Sequence, residues 1–189
     1  MKQIWLYIKF LWHSKNQHSV HSPFVYALVT KCFYNNLKLK SHRKLKTNSK
    51  DFKKAKLIYR FVNYHEFKTI YHPNTLSENL ETALSLSDHG PIVSIFSGKI
   101  PEIKYFETTQ LIYLKSITNE LHSDLDRILS LCSNDSVLII ENIRQSPEDF
   151  KQWKLLKSNL LVRVSIDTFY FGILYFRKEQ NKEHFTIRI

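Results

Sequence analysis

Two groups of residues in this chain have the types and spacing to do chemistry. From Lys38 to Lys56 nine Lys or Arg residues (Lys38, Lys40, Arg43, Lys44, Lys46, Lys50, Lys53, Lys54 and Lys56) face a single acid, Asp51. Such a run attracts phosphates, so it is the candidate for contact with nucleic acid, with Lys38, Arg43, Lys44, Lys53 and Lys54 foremost. Nucleic-acid modules normally add exposed aromatics or glycine-rich turns, and only Phe52 interrupts this run, so a solvated basic linker is the preferred account. The second group is His13, His18 and His21. Imidazole is the commonest transition-metal ligand, but no Cys, Asp or Glu lies nearby to complete a shell. Local hydrogen bonding is expected of these rings, and no metal site.

The totals set limits on what else the chain can do. Its formal charge of +11 draws it towards polyanions such as RNA, DNA or anionic membranes, although many basic proteins carry such charge only for solubility. With 43% hydrophobic and 14% aromatic residues over 189 positions it folds around one sizeable core. The two cysteines, Cys32 and Cys132, have no paired spacing and fit free thiols in a reducing compartment, which points to the cytoplasm. Three glycines, Gly90, Gly98 and Gly172, leave little room for a nucleotide-binding loop. No P-loop, zinc-finger spacing, serine nucleophile elbow or paired-carboxylate arrangement is present.

The elements that must position these residues alternate between strand and helix. Met1 to His13 is too short to span a bilayer, and no small-residue cleavage site follows it. Ile4, Ile8, Leu11 and Trp12 recur at helical spacing, so an amphipathic helix packed on the protein's own core is expected, with membrane-surface docking through Trp5, Phe10 and Trp12 as the alternative. Ser22-Pro23 predicts a helix start, with Phe24, Ala27, Leu28 and Cys32 on its buried face. Further helices are expected at Leu57 to Tyr64, after a Thr75 or Ser77 cap through Leu86, at Glu102 to Phe106, at Leu121 to Leu131 and at Glu148 to Lys157. Strand patterns fall at Thr69 to Tyr71, Ile92 to Phe96, Leu111 to Leu114 and Val137 to Ile140, then at Val162 to Ile166, Ile173 to Phe176 and Phe185 to Ile189. The charged stretch Arg177 to Glu183 reads as a surface link. This alternation predicts an α/β domain over 1–189, its mainly parallel sheet covered on both faces and its antiparallel terminal strand pair at one edge. Residues 1–37 form a helical extension and 38–56 the basic linker or loop.

The tail also carries a resemblance. Ser165-Ile166-Asp167, Phe169-Tyr170-Phe171-Gly172-Ile173 and above all Phe176-Arg177-Lys178-Glu179-Gln180 followed by His184-Phe185-Thr186-Ile187-Arg188 resemble the C-terminus of a bacterial group of class I S-adenosylmethionine-dependent methyltransferases. The stretch from His18 to Tyr26 looks like that group's N-terminal helical signature. Leu57 to Tyr64 is similar to its helix before the first strand, and Ser136 to Ile143 to its fourth strand with the polar residues after it. The resemblance covers nearly the whole chain and is weakest in the lysine-rich segment and between Tyr71 and Ser116. It implies a Rossmann-like seven-stranded sheet whose last two strands pair antiparallel, with S-adenosylmethionine at the carboxyl ends of the first strands.

Against that pattern the chain departs where the cofactor would sit. Asn74 and Glu78 stand nearest the expected glycines, Ser97 and Gly98 follow the second strand without a carboxylate for the ribose, and Lys115-Ser116 replace an aspartate and glycine after the third. His72, Asn74, Ser77 and Ser97 are the residues that could hold the cofactor in a rebuilt pocket. Only Glu141-Asn142 keeps polar, partly acidic chemistry, so Glu141 is the candidate base, with Asn142 or Asp167 positioning a substrate. Three functions follow: a degenerate methyltransferase-like protein acting as a non-catalytic binding or scaffold partner, an active small-molecule or O-directed methyltransferase, and RNA binding through the basic segment.

Overall fold

The apolar runs of the chain become the centre of one sheet. The computed structural model describes residues 2–14, 16, 20–35, 44–86, 89–97, 109–117 and 125–189. Its strands are β1 (Thr69–Pro73), β2 (Ile92–Phe96), β3 (Gln110–Leu114), β4 (Ser136–Glu141), β5 (Val164–Asp167), β6 (Phe171–Tyr175) and β7 (Glu183–Thr186). They lie in the order β2-β1-β3-β4-β6-β5-β7. All neighbours run parallel except around β6, which is antiparallel to both β4 and β5. Strands β1, β3, β4, β5 and β6 are buried along their whole length; β3, β4 and β6 accordingly read as near-continuous apolar runs, whereas β5 carries Ser165 and Asp167 at alternate positions.

Helices cover both faces. They are α1 (Lys2–His13), α2 (Pro23–Leu28, continued by a π-helical turn over Val29–Phe33), α3 (Phe52–His65), α4 (Glu78–Ser85), α5 (Leu125–Ser130) and α6 (Pro147–Ser158). On one face Leu111, Tyr113 and Ile139 pack with Leu28, Ile58, Phe61 and Leu80 of α2, α3 and α4; on the other Ile112, Leu114, Leu138 and Ile140 pack with Ile128 and Trp153 of α5 and α6. The period of two along β3 and β4 divides these sets. Helix α6 begins at Pro147, where the Ser146 hydroxyl accepts the Asp149 N–H at 3.0 Å. Gly172 in β6 is a matter of space, because a Cβ there would lie 2.6 Å from the Trp153 ring.

Several expectations are corrected. The antiparallel pair is β5 with β6, but it is not the edge of the sheet: β7 lies outside it and runs parallel to β5, so the last two strands are not an antiparallel pair. The chain of Arg177 to Lys182 is long enough to cross back to the starting end of β5, and a parallel partner results. In α2 the buried positions are Val25, Leu28, Val29, Cys32 and Phe33, while Phe24 is only half-buried. These positions keep helical spacing, at i, i+3, i+4, i+7 and i+8 from Val25, so the buried face is the one that starts a residue later than Phe24. Ser22 starts this helix in an extended conformation without its hydroxyl capping it.

The basic segment is not simply a linker. Leu45 is buried in the core, the Lys46 backbone exchanges two hydrogen bonds with the Asn79 amide (2.8 and 2.9 Å), and Phe52 to Lys56 form the first turns of α3. Residues 36–43, which include Lys38 and Arg43, lie outside those described, as does the helix expected at Glu102 to Phe106. Helix α1 meets the rest of the molecule through Phe10, buried, and Tyr7, whose rings lie 5.3 and 4.8 Å from that of Phe169. Ile4, Ile8 and Trp12, expected to pack on the core, face outward.

Candidate functional site

Open parallel sheets hold ligands at the carboxyl ends of their strands, where the strand order reverses. Here the reversal lies between β1 and β3, since the chain leaves β1 for β2 on one side and returns to β3 on the other. Continuing the observed register sets Ser97, Asn74, Lys115 and Glu141 in a row along this end. The Lys115 ammonium donates to the Thr75 carbonyl at 2.7 Å, tying the ends of β1 and β3 together across that reversal.

Of the four residues expected to hold a cofactor, Asn74 and Ser97 are neighbours in this row, while His72 and Ser77 stand apart from it. His72 is buried on β1 and its Nδ1 lies 3.0 Å from the Pro73 carbonyl. Asn74 is exposed and extends the ladder by donating its N–H to Phe96 O at 2.9 Å. Ser97 is exposed at the end of β2, and Ser77 opens α4 with a hydroxyl that has no hydrogen-bond partner among the described residues. Glu78 and Glu81 occupy the first turn of α4, where a carboxylate complements the helix dipole, and Glu78 also pairs with Lys46 at 2.5 Å. That helix start is therefore already supplied with negative charge.

The other half of the row is built differently. Glu141 is 4% exposed, and both of its oxygens are engaged: Oε1 accepts from Lys54 Nζ at 2.5 Å and Oε2 from the Tyr113 hydroxyl at 3.0 Å. Lys54 Nζ also reaches Asn142 Oδ1 at 3.2 Å, so the two adjacent residues expected to be catalytic are both bonded by a lysine that precedes Glu141 by 87 positions. Asn142 has a left-handed backbone (φ 57°), and its N–H donates to Tyr170 O at 2.8 Å. Next along, Asp167 accepts both prongs of the Arg144 guanidinium at 2.6 and 2.5 Å. Arg144 itself lies over the rings of Phe10, Phe150 and Phe169, 4.7 to 5.3 Å from their centroids.

On its outer side Lys54 faces a cleft of about 370 Å³ between the start of α3 and the β5–β6 turn. Lys50, Lys53, Lys54, Lys56 and Arg60 line it with Tyr170, and among the described residues no carboxylate side chain does. Arg60 donates to Asn35 O at 2.7 Å, while Lys50, Lys53 and Lys56 make no ion pair among the described residues. Tyr170 is half exposed, and its ring lies 5.7 Å from Lys54 Nζ. The volume suits a nucleotide-sized group, the lysines suit phosphate oxygens, and the ring supplies a stacking face. Sequence reading found Lys53 and Lys54 but not Arg60, Tyr170 or Tyr113. Lys53, Lys56 and Arg60 recur at i, i+3 and i+7, so extending the α3 pattern backwards would have placed the lysines on one helical face. Nothing local marks Tyr170.

A second cleft of about 430 Å³ opens at the amino end of the sheet beside His65, Tyr175 and Arg177. His65 Nε2 lies 3.0 Å from the Tyr175 hydroxyl, and its ring is stacked on Phe67 and tilted against Phe61. Burial, aided by the Arg177 charge, pulls its pKa down to about 3, so the ring is neutral. Burial pushes the thiols of Cys32 and Cys132 up to about 12, so neither is a ready nucleophile. His13 Nδ1 bonds to the Lys9 carbonyl at 2.8 Å, His21 is exposed, and His18 lies outside the described residues. Among the described residues no group of three His, Cys, Asp or Glu could hold a metal ion, and no helix is long and apolar enough to cross a membrane. No protein-family model, no curated protein and no solved structure matches the chain.

Proposed function

We propose that this chain is a methyltransferase-like α/β protein that has lost S-adenosylmethionine binding and serves as a binding protein, taking single-stranded RNA in the lysine cleft. The observation that carries the reading is the position of Lys54. Its ammonium fills the space in front of Glu141 and Asn142 on one side and contributes to the cationic cleft on the other. The same residue closes the old site and helps to build the new one.

The residues present do not fit the cofactor. The ribose partner is replaced by exposed Ser97, the crevice at the strand reversal is bridged by Lys115, and the start of α4 is held by Lys46, Glu78 and Asn79. Losing a charged hydrogen bond to the ribose alone forfeits about 1.5–3 kcal/mol. RNA suits the cleft because phosphates replace counterions along a lysine row while Tyr170 stacks on a base, without glycine-rich turns.

Two titrations test the reading. Thermal unfolding with S-adenosylmethionine and with its demethylated product should show no stabilisation, whereas a bound ligand at a hundred times its Kd adds about 2.7 kcal/mol. A fluorescent single-stranded oligoribonucleotide should bind with an affinity that falls steeply with salt, and replacing Lys50, Lys53 and Lys56 by Ala should lower the log–log slope by about 2. A cofactor-induced shift overturns the first half. An affinity indifferent to salt or to the triple substitution overturns the second.

One observation favours a second reading, an active small-molecule or O-directed methyltransferase with Glu141 as base and Asn142 positioning the acceptor. Asn142 (φ 57°) and Phe169 (φ 74°) are both left-handed non-glycine residues at neighbouring strand ends, and such strain gathers at working sites. On this reading Lys54 must withdraw before Glu141 can take a proton, and Glu141→Gln abolishes turnover of any acceptor found.

A further inference from the structure

Independently of that reading, we propose that α1 is an anchor that lays the protein on an anionic phospholipid surface. Along α1, Ile4, Ile8 and Trp12 follow one another at i, i+4 and i+8, with Trp5 beside them, so the four side chains share an arc of about 100°. All four are exposed, from 46% at Ile8 to 84% at Trp12. Single exposed apolar residues need no explanation, but a contiguous strip containing two tryptophans marks a binding face.

The opposite side of the helix is fixed. Phe10 is buried, and with Tyr7 it packs on the Phe169 ring, so α1 cannot turn its apolar strip inward without giving up these contacts. Charge identifies the occupant. Helix α1 contains no acidic residue, and Lys9 lies beside the strip with its ammonium 5.4 Å from the Trp5 ring centroid. The groove between α1 and α6 adds Lys157, and among the described residues its one carboxylate, Asp167, is already taken by Arg144. Tryptophan and aliphatic side chains at the edge of the acyl region, with cations at headgroup level, are what an interfacial helix requires, and a chain of net charge +11 is drawn to anionic lipid over neutral lipid.

The test uses the whole protein with vesicles of phosphatidylcholine alone and of phosphatidylcholine mixed equally with phosphatidylglycerol. The protein should pellet with the mixed vesicles, bind those of pure phosphatidylcholine at least about tenfold more weakly, and show a blue-shifted tryptophan emission. Trp153 is buried, so that shift reports Trp5 and Trp12. Replacing Trp5 and Trp12 by Ala should weaken binding by about tenfold or more, corresponding to about 1.4 kcal/mol. Ile8→Glu, which leaves both tryptophans in place, should do the same by adding a repelled charge. Failure to pellet, equal binding to both vesicle types, or binding unchanged in both variants overturns the proposal. So does a lipid-free dimer that the same substitutions dissolve, because a second copy would then cover the strip.

Discussion

The two halves of the sheet's carboxyl end solve the same problem in opposite ways. At the ends of β1 and β2 the described residues next in the chain, Asn74 and Ser97, carry no charge and are exposed. At the ends of β4 and β5 two carboxylates, Glu141 and Asp167, are buried, and each is matched by a cation from elsewhere, Lys54 and Arg144. A carboxylate can be taken out of water only with a partner, and breaking such a pair leaves the survivor uncompensated. One half is therefore loosely tied polar surface. The other is a pair of charge-matched joints that hold α3 and the chain before α6 to the sheet.

Substitutions should expose this difference. Arg144→Ala should have the largest effect, lowering unfolding free energy by about 3–5 kcal/mol in urea titration, since Asp167 stays buried and the rings of Phe10, Phe150 and Phe169 lose their cation. Lys54→Met should cost about 3 kcal/mol, less than Arg144→Ala because Lys54 is partly solvated and Tyr113 keeps one Glu141 oxygen. The double variant Lys54→Met/Glu141→Gln should recover part of that loss, and additive losses would show that the two do not act as a pair. Lys54→Met also sharpens the functional question. If S-adenosylmethionine stabilises this variant but not the parent, Lys54 is the residue that closes the site.

The amino end of the sheet supplies a control through pH. His65 is held neutral when folded, with its pKa lowered from 6.5 to about 3, whereas the unfolded chain takes up its proton near pH 6.5. Below pH 6.5 the unfolded state binds the extra proton, so stability present above that pH is lost as pH falls towards 3, by about 1 kcal/mol per unit. The measurement is the difference in slope between the parent and His65→Phe, which removes this term and leaves those of the carboxylates. The smallest effect is expected from Lys115→Ala. Its exposed bond to Thr75 O should contribute less than about 1 kcal/mol, and a larger loss would show that the β1–β3 end is as firmly built as the β4–β5 end.

Much of the fold was legible in the chain. The boundaries of β2 coincide with Ile92 to Phe96, and those of β3, β4 and α6 fall within a residue of their patterns. Burial on both faces makes a strand a continuous apolar run, and helix starts have local chemistry, so both leave a trace in neighbouring residues. The site was less legible. Glu141 and Asn142 were visible as polar residues ending an apolar strand, but Tyr113, Lys54 and Tyr170 reach them from other strands and helices. No pattern between neighbours records such a meeting.

Sequence by itself determined the alternation of strand and helix, the basic character of the start of α3 and the scarcity of glycine. Those are properties of single residues and short periods. Only the tertiary structure decided that β6 lies between β4 and β5, that α1 turns Phe10 inward and Trp12 outward, and that a lysine from the basic segment neutralises Glu141. Each of these depends on packing and charge balance between groups remote in sequence, where the cost of an unmatched buried charge or an unfilled face selects one arrangement of the same local elements.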